Sequence, residues 1–165
     1  MIRAARPEEI KLLPQIENAA DSRFRRVGLE LVFRMPCHSL AVLREGRRHG
    51  LLWVAVTPTN RPVGFLLMHI AAGIAWIEQL SVLDHWQGRG LGTALIDRAE
   101  AAAHAYGYPV LHLTTYRTVA WNKPFYARRG FVELGRGDLT RAMRVVLVTE
   151  VRHGHPVWQR AVMRR

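Results

Sequence analysis

A glycine-rich segment between a predicted strand and a predicted helix constrains this chain more than any other feature. This segment, the glycine loop, spans Gln87 to Gly92 and reads QGRGLG. An apolar run at 74–82 precedes it, and a stretch with helical periodicity at 93–106 follows it. Glycine lets the backbone approach a ligand closely, and the first N–H groups of a helix are free at the positive end of its dipole. The glycine loop therefore predicts a phosphate-binding turn.

The spacing of the glycines excludes two common phosphate-binding loops. A dinucleotide fingerprint requires G-x-G-x-x-G, but counting from Gly88 and Gly90 places Thr93 at the third position. A Walker loop requires G-K-[ST] after four free residues, and the chain has no such run. The segment instead matches the pattern Q/R-x-x-G-x-G/A.

The composition is that of one soluble globular domain. Of the 165 residues, 49% are hydrophobic and 22% are charged. No apolar run approaches the roughly 18 residues of a membrane helix, and the first seven residues lack the apolar core of a signal peptide. The single cysteine, Cys37, is expected to be a small buried residue. We therefore expect a cytoplasmic protein that does not enter the membrane.

The net charge of +11 invites an anionic partner. Nucleic acid and a polyanionic cofactor both satisfy that condition. The arginines, however, are scattered from Arg3 to Arg165, and no basic run has interleaved aromatic residues. A solvated basic surface explains the charge equally well, so nucleic acid is not the expected partner.

Apolar periodicity predicts a mixed α/β layer structure, in the order β-α-α-α-β-β-β-α-β-α-β-α-β. The predicted strands span residues 2–5, 51–57, 63–70, 74–82, 110–115, 131–134 and 157–163. Six helices are predicted. The first begins at Pro7, the second runs from a cap at Asp21 or Ser22 to Arg34, and the third runs from a cap at Ser39 to His49. The other three span residues 90–106, 119–129 and 139–152, and Asp138 is the expected cap of the last.

A second segment, Ala120 to Phe131, carries Asn122, Tyr126 and Gly130 in a characteristic spacing. It resembles, in loose form, the second motif N-x-x-x-x-F/Y-Y-x-x-x-G-F of the GNAT superfamily of acyl-CoA-dependent N-acetyltransferases, with Asn122 two residues closer to the tyrosine than in that pattern. The glycine loop resembles the pyrophosphate loop of the same superfamily. The two motifs occur in the order and at roughly the separation of that family, and the resemblance covers about residues 51–135.

The resemblance implies a single GNAT domain over residues 1–165. Its fold would be a central, mostly antiparallel sheet flanked by helices, with a V-shaped gap between the fourth and fifth strands. The pantetheine arm of acetyl-CoA would lie in this gap and pair with strand backbone. The cofactor-binding residues implied are Leu80, Val82, Gln87, Gly88, Arg89, Gly90, Gly92, Thr93 and Asn122.

The resemblance also implies acetyl transfer by direct attack of an amine on the thioester. Tyr126 would lie near the CoA sulfur and protonate the departing thiolate. Strand alternation places Glu78 in phase with Trp76 and Leu80, facing the acceptor as a candidate base. A salt bridge, or binding of a cationic acceptor, would explain Glu78 equally well. His112 is a second candidate base, and water alone is a third route for the proton.

The acceptor stays open between a small-molecule amine and a protein amine. Trp121, Phe24 and Phe33 are candidates to line its site. The close pair His153 and His155 has no further ligands beside it, so no metal is predicted. The resemblance allows a homodimer, since homodimers are frequent in this superfamily. Two other functions remain open, a non-catalytic acyl-CoA sensor and a basic nucleic-acid-binding module.

Overall fold

A seven-stranded sheet with helices on both faces organises the computed structural model, which describes residues 1–165. The strands are β1 (Ile2–Ala4), β2 (Leu52–Val56), β3 (Pro62–Ala71), β4 (Ile74–Val82), β5 (Leu111–Tyr116), β6 (Val132–Glu133) and β7 (Arg160–Arg164). The helices are α1 (Leu13–Asp21), α2 (Glu30–Arg34), α3 (Leu40–Arg48), α4 (Leu91–Ala105), α5 (Lys123–Ala127) and α6 (Arg141–Arg152). The predicted mixed α/β fold is confirmed.

The sheet opens between β4 and β5. Its order is β1-β2-β3-β4-β5-β7-β6, and every neighbouring pair is antiparallel except β4 and β5. These two strands pair only from Ala75 with Leu111 to Ile77 with Leu113. Beyond Ile77, β4 pairs with β3 alone, as far as Val82. The predicted gap between the fourth and fifth strands is therefore present, and one edge of β4 lies open along it.

A β-bulge at Glu78 changes the alternation of side chains along β4. Gln79 pairs with Leu67 of β3 and Ile77 with Met68, so Glu78 is an extra residue on its strand. The prediction that Glu78, Trp76 and Leu80 share a phase is wrong, because a bulge reverses the faces on either side of it. Trp76 packs in a cluster with Leu134, Met143 and Val162, while Leu80 packs against the cluster below α4.

The core has two main parts, one on each face of the sheet. The larger lies between the sheet and α4, where Leu95, Ile96 and Ala99 are fully buried. The other lies below α1 and α3, around Leu13 and Leu43. This sandwich holds the end of β4 and the start of α4 in a fixed relation, and the glycine loop connects them.

The region before α3 differs from the sequence prediction. The predicted helix from residue 22 to Arg34 is broken into a 3-10 helix, Ser22–Val27, and the short α2. Gly28 separates them with a φ of +73°, a left-handed conformation that ends a helix. Neither Asp21 nor Ser22 caps a helix with its side chain. Ser39 does cap α3, by accepting from the N–H of Val42.

In the last third of the chain, several helices and strands also begin later than the sequence predicts. The helix predicted over 119–129 is only α5, with Pro124 in its first turn. Thr140, rather than Asp138, caps α6 by accepting from the N–H of Met143. The chain forms a 3-10 turn at Val157–Gln159 before β7 starts. No helix of the structure combines the length and the apolarity that a membrane crossing requires.

Candidate active site

The glycine loop leads directly into α4. Gly88 and Gly90 have φ values of +72° and +77°, so both positions favour glycine. The first helical hydrogen bond runs from the N–H of Ala94 to the carbonyl of Gly90. The N–H groups of Leu91, Gly92 and Thr93 therefore have no partner inside the helix. Free N–H groups at a helix N-terminus favour an anion.

Two side chains of the glycine loop stabilise the loop itself. The Gln87 amide donates to the carbonyl of Val82 at 2.8 Å and to Asp84 at 3.1 Å, and its oxygen accepts from Arg23 at 2.6 Å. The Arg89 guanidinium lies 4.7 Å from the ring centroid of Trp86. Arg89 lines neither of the two cavities described below, and it is the one predicted cofactor-binding residue for which this is so.

A cavity of about 660 Å³ extends from the glycine loop to α5. We call it the cofactor cavity. It brings together nine of the predicted site residues, namely Leu80, Val82, Gln87, Gly88, Gly90, Gly92, Thr93, Asn122 and Tyr126. Gly92 allows α5 to approach, because a β-carbon at Gly92 would lie 3.2 Å from the Phe125 ring.

Three arginines of the cofactor cavity were missed in the sequence, Arg23, Arg128 and Arg129. Arg129 stacks 3.6 Å from the centroid of Phe125 and donates to the Thr93 hydroxyl at 2.8 Å, so it ties α5 to α4. The Arg128-Arg129 pair beside Tyr126 was a signal for an anionic ligand. Arg23 gave no signal, since only the fold brings the 3-10 helix at 22–27 to the glycine loop.

A second cavity of about 640 Å³ lies at the other end of β4. We call it the acceptor cavity. Its lining includes Glu78, and it shares four residues with the cofactor cavity: Asp21, Phe24, Leu80 and Tyr126. The two cavities therefore meet where the predicted acid, Tyr126, lies.

Glu78 is tied to two histidines. Its carboxylate lies 2.7 Å from Nδ1 of His69 and 3.6 Å from Nε2 of His38, and His38 Nδ1 lies 2.8 Å from Glu17. The nearby imidazoles of His38 and His69 lower the pKa of Glu78 to about 2, although burial opposes them. Burial lowers the pKa of His38, but Glu17 and Glu78 outweigh it and raise that pKa to about 10.

Tyr126 is held as a protonated phenol. Burial raises its pKa to about 12, and the nearby Arg160, Arg129 and Arg23 only partly oppose this. Its ring meets those of Phe125 and Phe131 nearly edge to face, at centroid distances of 5.1 and 5.7 Å. The hydroxyl therefore remains a proton donor at neutral pH, at the junction of the two cavities.

Other candidates from the sequence take different places. His112 stacks on Trp76 and lines neither cavity, so it is not positioned as a base. Trp121 lines the cofactor cavity rather than the acceptor cavity, and Phe33 lines neither. His155 lies with Nδ1 2.6 Å from the Tyr116 hydroxyl.

The splayed sheet, the glycine loop at a helix N-terminus and the two joined cavities form the arrangement that the resemblance implies for proteins that transfer an acyl group from CoA. Residues 48–133 match the family model described as acetyltransferase (GNAT) domain. The chain belongs to the GNAT acetyltransferase family and is an acyltransferase.

Several solved structures share this fold. The PaiA N-acetyltransferase of Thermoplasma acidophilum, in complex with coenzyme A, has a TM-score of 0.73 at 16% identity, over 100% of this chain and 97% of that one. The ribosomal-protein-S18-alanine N-acetyltransferase of Escherichia coli gives 0.67 at 16%, over 99% and 91%. The N-acetylglutamate synthase of Neisseria gonorrhoeae, with coenzyme A and N-acetyl-glutamate, gives 0.72 at 19%, over 100% of this chain but 34% of that one.

Proposed function

We propose that this protein is an N-acetyltransferase that moves an acetyl group from acetyl-CoA to a primary amine in a ternary complex. The observation that carries the proposal is the meeting of the cofactor and acceptor cavities at Leu80 and Tyr126. Two substrates in adjoining cavities can react directly, since holding them together supplies much of the entropy that a bimolecular reaction loses.

The cofactor cavity suits acetyl-CoA from its phosphates to its thioester. The pyrophosphate binds the free N–H groups after Gly90, with Arg128 and Arg129 supplying positive charge. The pantetheine arm pairs with the open edge of β4 near Leu80 and Val82. A strand N–H of the same edge stabilises the oxyanion that forms during attack.

Proton transfer accompanies the attack. The neutral amine attacks the thioester carbon as a nucleophile, and the C–S bond breaks when the tetrahedral intermediate collapses. Tyr126 donates its phenolic proton to the departing CoA thiolate and regains one from the former ammonium nitrogen or water. The high pKa of Tyr126 suits this role, because the phenol stays loaded with its proton.

Glu78 serves the acceptor through its charge. An alkylammonium has a pKa of about 10.4, and the pKa of Glu78 is lowered to about 2, so direct proton transfer to Glu78 is strongly uphill. Of the two alternatives to the base role, an ion pair is present, with histidines rather than an arginine, and we propose that the Glu78 carboxylate also attracts a cationic acceptor. Glu17 adds a further carboxylate to the acceptor cavity. The arginine that lines this cavity, Arg160, is paired with Glu150 at 2.9 Å.

An amine panel tests the function directly. Wild-type protein is incubated with acetyl-CoA and, separately, spermidine, lysine amide, glutamate and a short peptide with a free N-terminus, and thiol release is followed. We expect amine-dependent release of CoA and a product heavier by one acetyl group, with a cationic amine preferred. Binding of acetyl-CoA without any amine-dependent release would instead support an acyl-CoA sensor.

Substitution Tyr126→Phe tests the assignment of the acid. We expect kcat to fall by about 10²-fold, within the range of general acid catalysis, while the Kd for CoA stays within twofold. Tyr106→Phe is the matched control, because Tyr106 is 54% exposed and bonds only the His49 carbonyl. Equal turnover by the two variants would remove Tyr126 from the mechanism.

A further inference from the structure

Asp21 occupies an unexpected place in the site. It is the last residue of α1, and its carboxylate caps no helix, contrary to the sequence prediction. It lines both the cofactor cavity and the acceptor cavity, together with Leu80 and Tyr126. Asp21 is thus the only carboxylic acid at the junction, since Glu17 and Glu78 line the acceptor cavity alone.

The other carboxylates of the acceptor cavity are already engaged. Glu17 is held by His38, Glu78 by His69 and His38, and Glu150 by Arg160. Asp21 has neither a hydrogen bond nor a cationic nitrogen within 4.0 Å, so its oxygens are free to accept a proton from a ligand.

The surroundings of Asp21 favour its neutral form. The titratable groups that face it are Glu17 on α1, Arg23 on the following 3-10 helix, Cys37 and His38 before α3, and Tyr116 on β5. Burial is the main cause that raises the pKa of Asp21 to about 7, and the charge of Glu17 adds to it, while His38 and Arg23 oppose it. A general base is most effective when its pKa lies near the working pH.

We propose that Asp21 is the general base that removes a proton from the acceptor ammonium before attack. The inference rests on the proposed acetyl transfer. The ammonium gives one proton to the Asp21 carboxylate, and its freed electron pair forms the C–N bond. Tyr126 gives its own proton to the thiolate, and the second proton that the nitrogen loses replaces it on Tyr126. Asp21 then releases its proton to water, so one amide, one CoA thiol and one proton are formed.

Asp21→Asn tests the assignment, because the amide keeps the shape but cannot act as a base. With acetyl-CoA and the amine that wild type acetylates fastest, we expect kcat/KM at pH 7 to fall by about 10²-fold or more. The Kd for CoA should be unchanged. Asp97→Asn is the matched control, since the Asp97 side chain is 55% exposed on α4, and this variant should match wild type.

The pH dependence and the stability separate catalysis from a structural role. Wild-type kcat/KM should show a break near pH 7, below which it declines more steeply, and Asp21→Asn should lose that break and follow only the fraction of free amine. Because the folded pKa of Asp21 exceeds the unfolded one, ionisation destabilises the fold as pH rises from about 4 to 7. The variant should therefore unfold at a higher temperature than wild type at pH 8, although it is less active.

Two outcomes overturn the inference: activity of Asp21→Asn within threefold of wild type at pH 7, or a break near pH 7 that persists in the variant. Both are distinct from failure of the proposed function. If wild type releases no thiol with any amine, acetyl transfer itself is wrong. If wild type is active and the variant equally so, only the role of Asp21 is wrong.

Discussion

At the scale of single residues, the behaviour of the site depends on which carboxylates already have partners. Glu17, His38, Glu78 and His69 form one continuous chain of alternating carboxyl and imidazole groups along the acceptor cavity. A carboxylate between two histidines is a poor proton acceptor but a stable negative charge. Asp21 has no such partners, so its carboxylate is better suited to accept a proton than to remain as a fixed negative charge. Residue type alone therefore does not decide the role of an acidic residue here.

His38, which lies between Glu17 and Glu78, should stabilise the fold in a pH-dependent way. The pKa of His38 is raised to about 10 in the folded protein, so its contribution is complete below about pH 6.5 and is lost as pH rises through 10. We expect His38→Gln to lower the free energy of unfolding by about 3 kcal/mol at pH 6, and by much less at pH 10. Urea unfolding at both pH values measures the difference.

His49→Gln provides the matched control for this measurement. His49 also contacts a glutamate, Glu45, but both side chains are more than half exposed at the end of α3. An exposed pair contributes little to stability. A loss in His38→Gln that is the same at pH 6 and pH 10 would contradict the linkage and indicate a packing effect.

At the scale of elements, the decisive unit is β4, the glycine loop and α4. We expect Gly90→Glu to abolish CoA binding, because a negative side chain would be placed at the N-terminus where the pyrophosphate binds. Strain at φ +77° adds about 1 kcal/mol to the cost of folding. Calorimetric titration with CoA measures the affinity.

Gly73→Glu is the control for the same backbone strain and the same charge. Gly73 has a φ of +76°, and like Gly90 it has no atom within 4 Å of an added β-carbon. It lies in the turn between β3 and β4, away from both cavities. Retained CoA binding in Gly90→Glu, or its loss in both variants, would mean that the glycine loop does not hold the cofactor.

Elements were predicted with uneven success, and the reason is physical. Strands β2, β3 and β4 and helix α4 have long apolar patterns bounded by glycine or proline, so their local signals and their packing agree. The segment 22–34 was mistaken for one helix because its apolar spacing is helical. Its path is instead decided at Gly28, where a left-handed residue turns the chain towards the site.

At the scale of the whole molecule, the net charge of +11 has only a partial explanation in the site. Three arginines, Arg23, Arg128 and Arg129, line the cofactor cavity, out of 24 lysines and arginines. The remainder are distributed over the chain. The proposed binding of CoA would account for these three arginines, and the rest form a basic surface that attracts anions weakly and at long range.

Thermal unfolding with CoA and with duplex DNA distinguishes these two kinds of charge. CoA at 100 times its Kd should stabilise the protein by about 2.7 kcal/mol, which raises Tm by about 5 to 10 °C for a domain of this size. DNA should give a smaller shift that disappears as salt rises. A DNA shift as large as that of CoA and resistant to salt would restore the nucleic-acid function.

The sequence by itself determined the family and located the glycine loop and the candidate acid Tyr126, because these depend on residues that are close together in the chain. Three features were decided by the tertiary structure alone. They are the bulge at Glu78, which reverses the alternation of side chains along β4, the approach of Arg23 to the glycine loop, and the position of Asp21 in the lining of both cavities. Each of these joins residues more than 50 positions apart or depends on pairing with a neighbouring strand. Short-range patterns carry no information about such contacts, since the energies that select them arise only when the sheet and helices pack together.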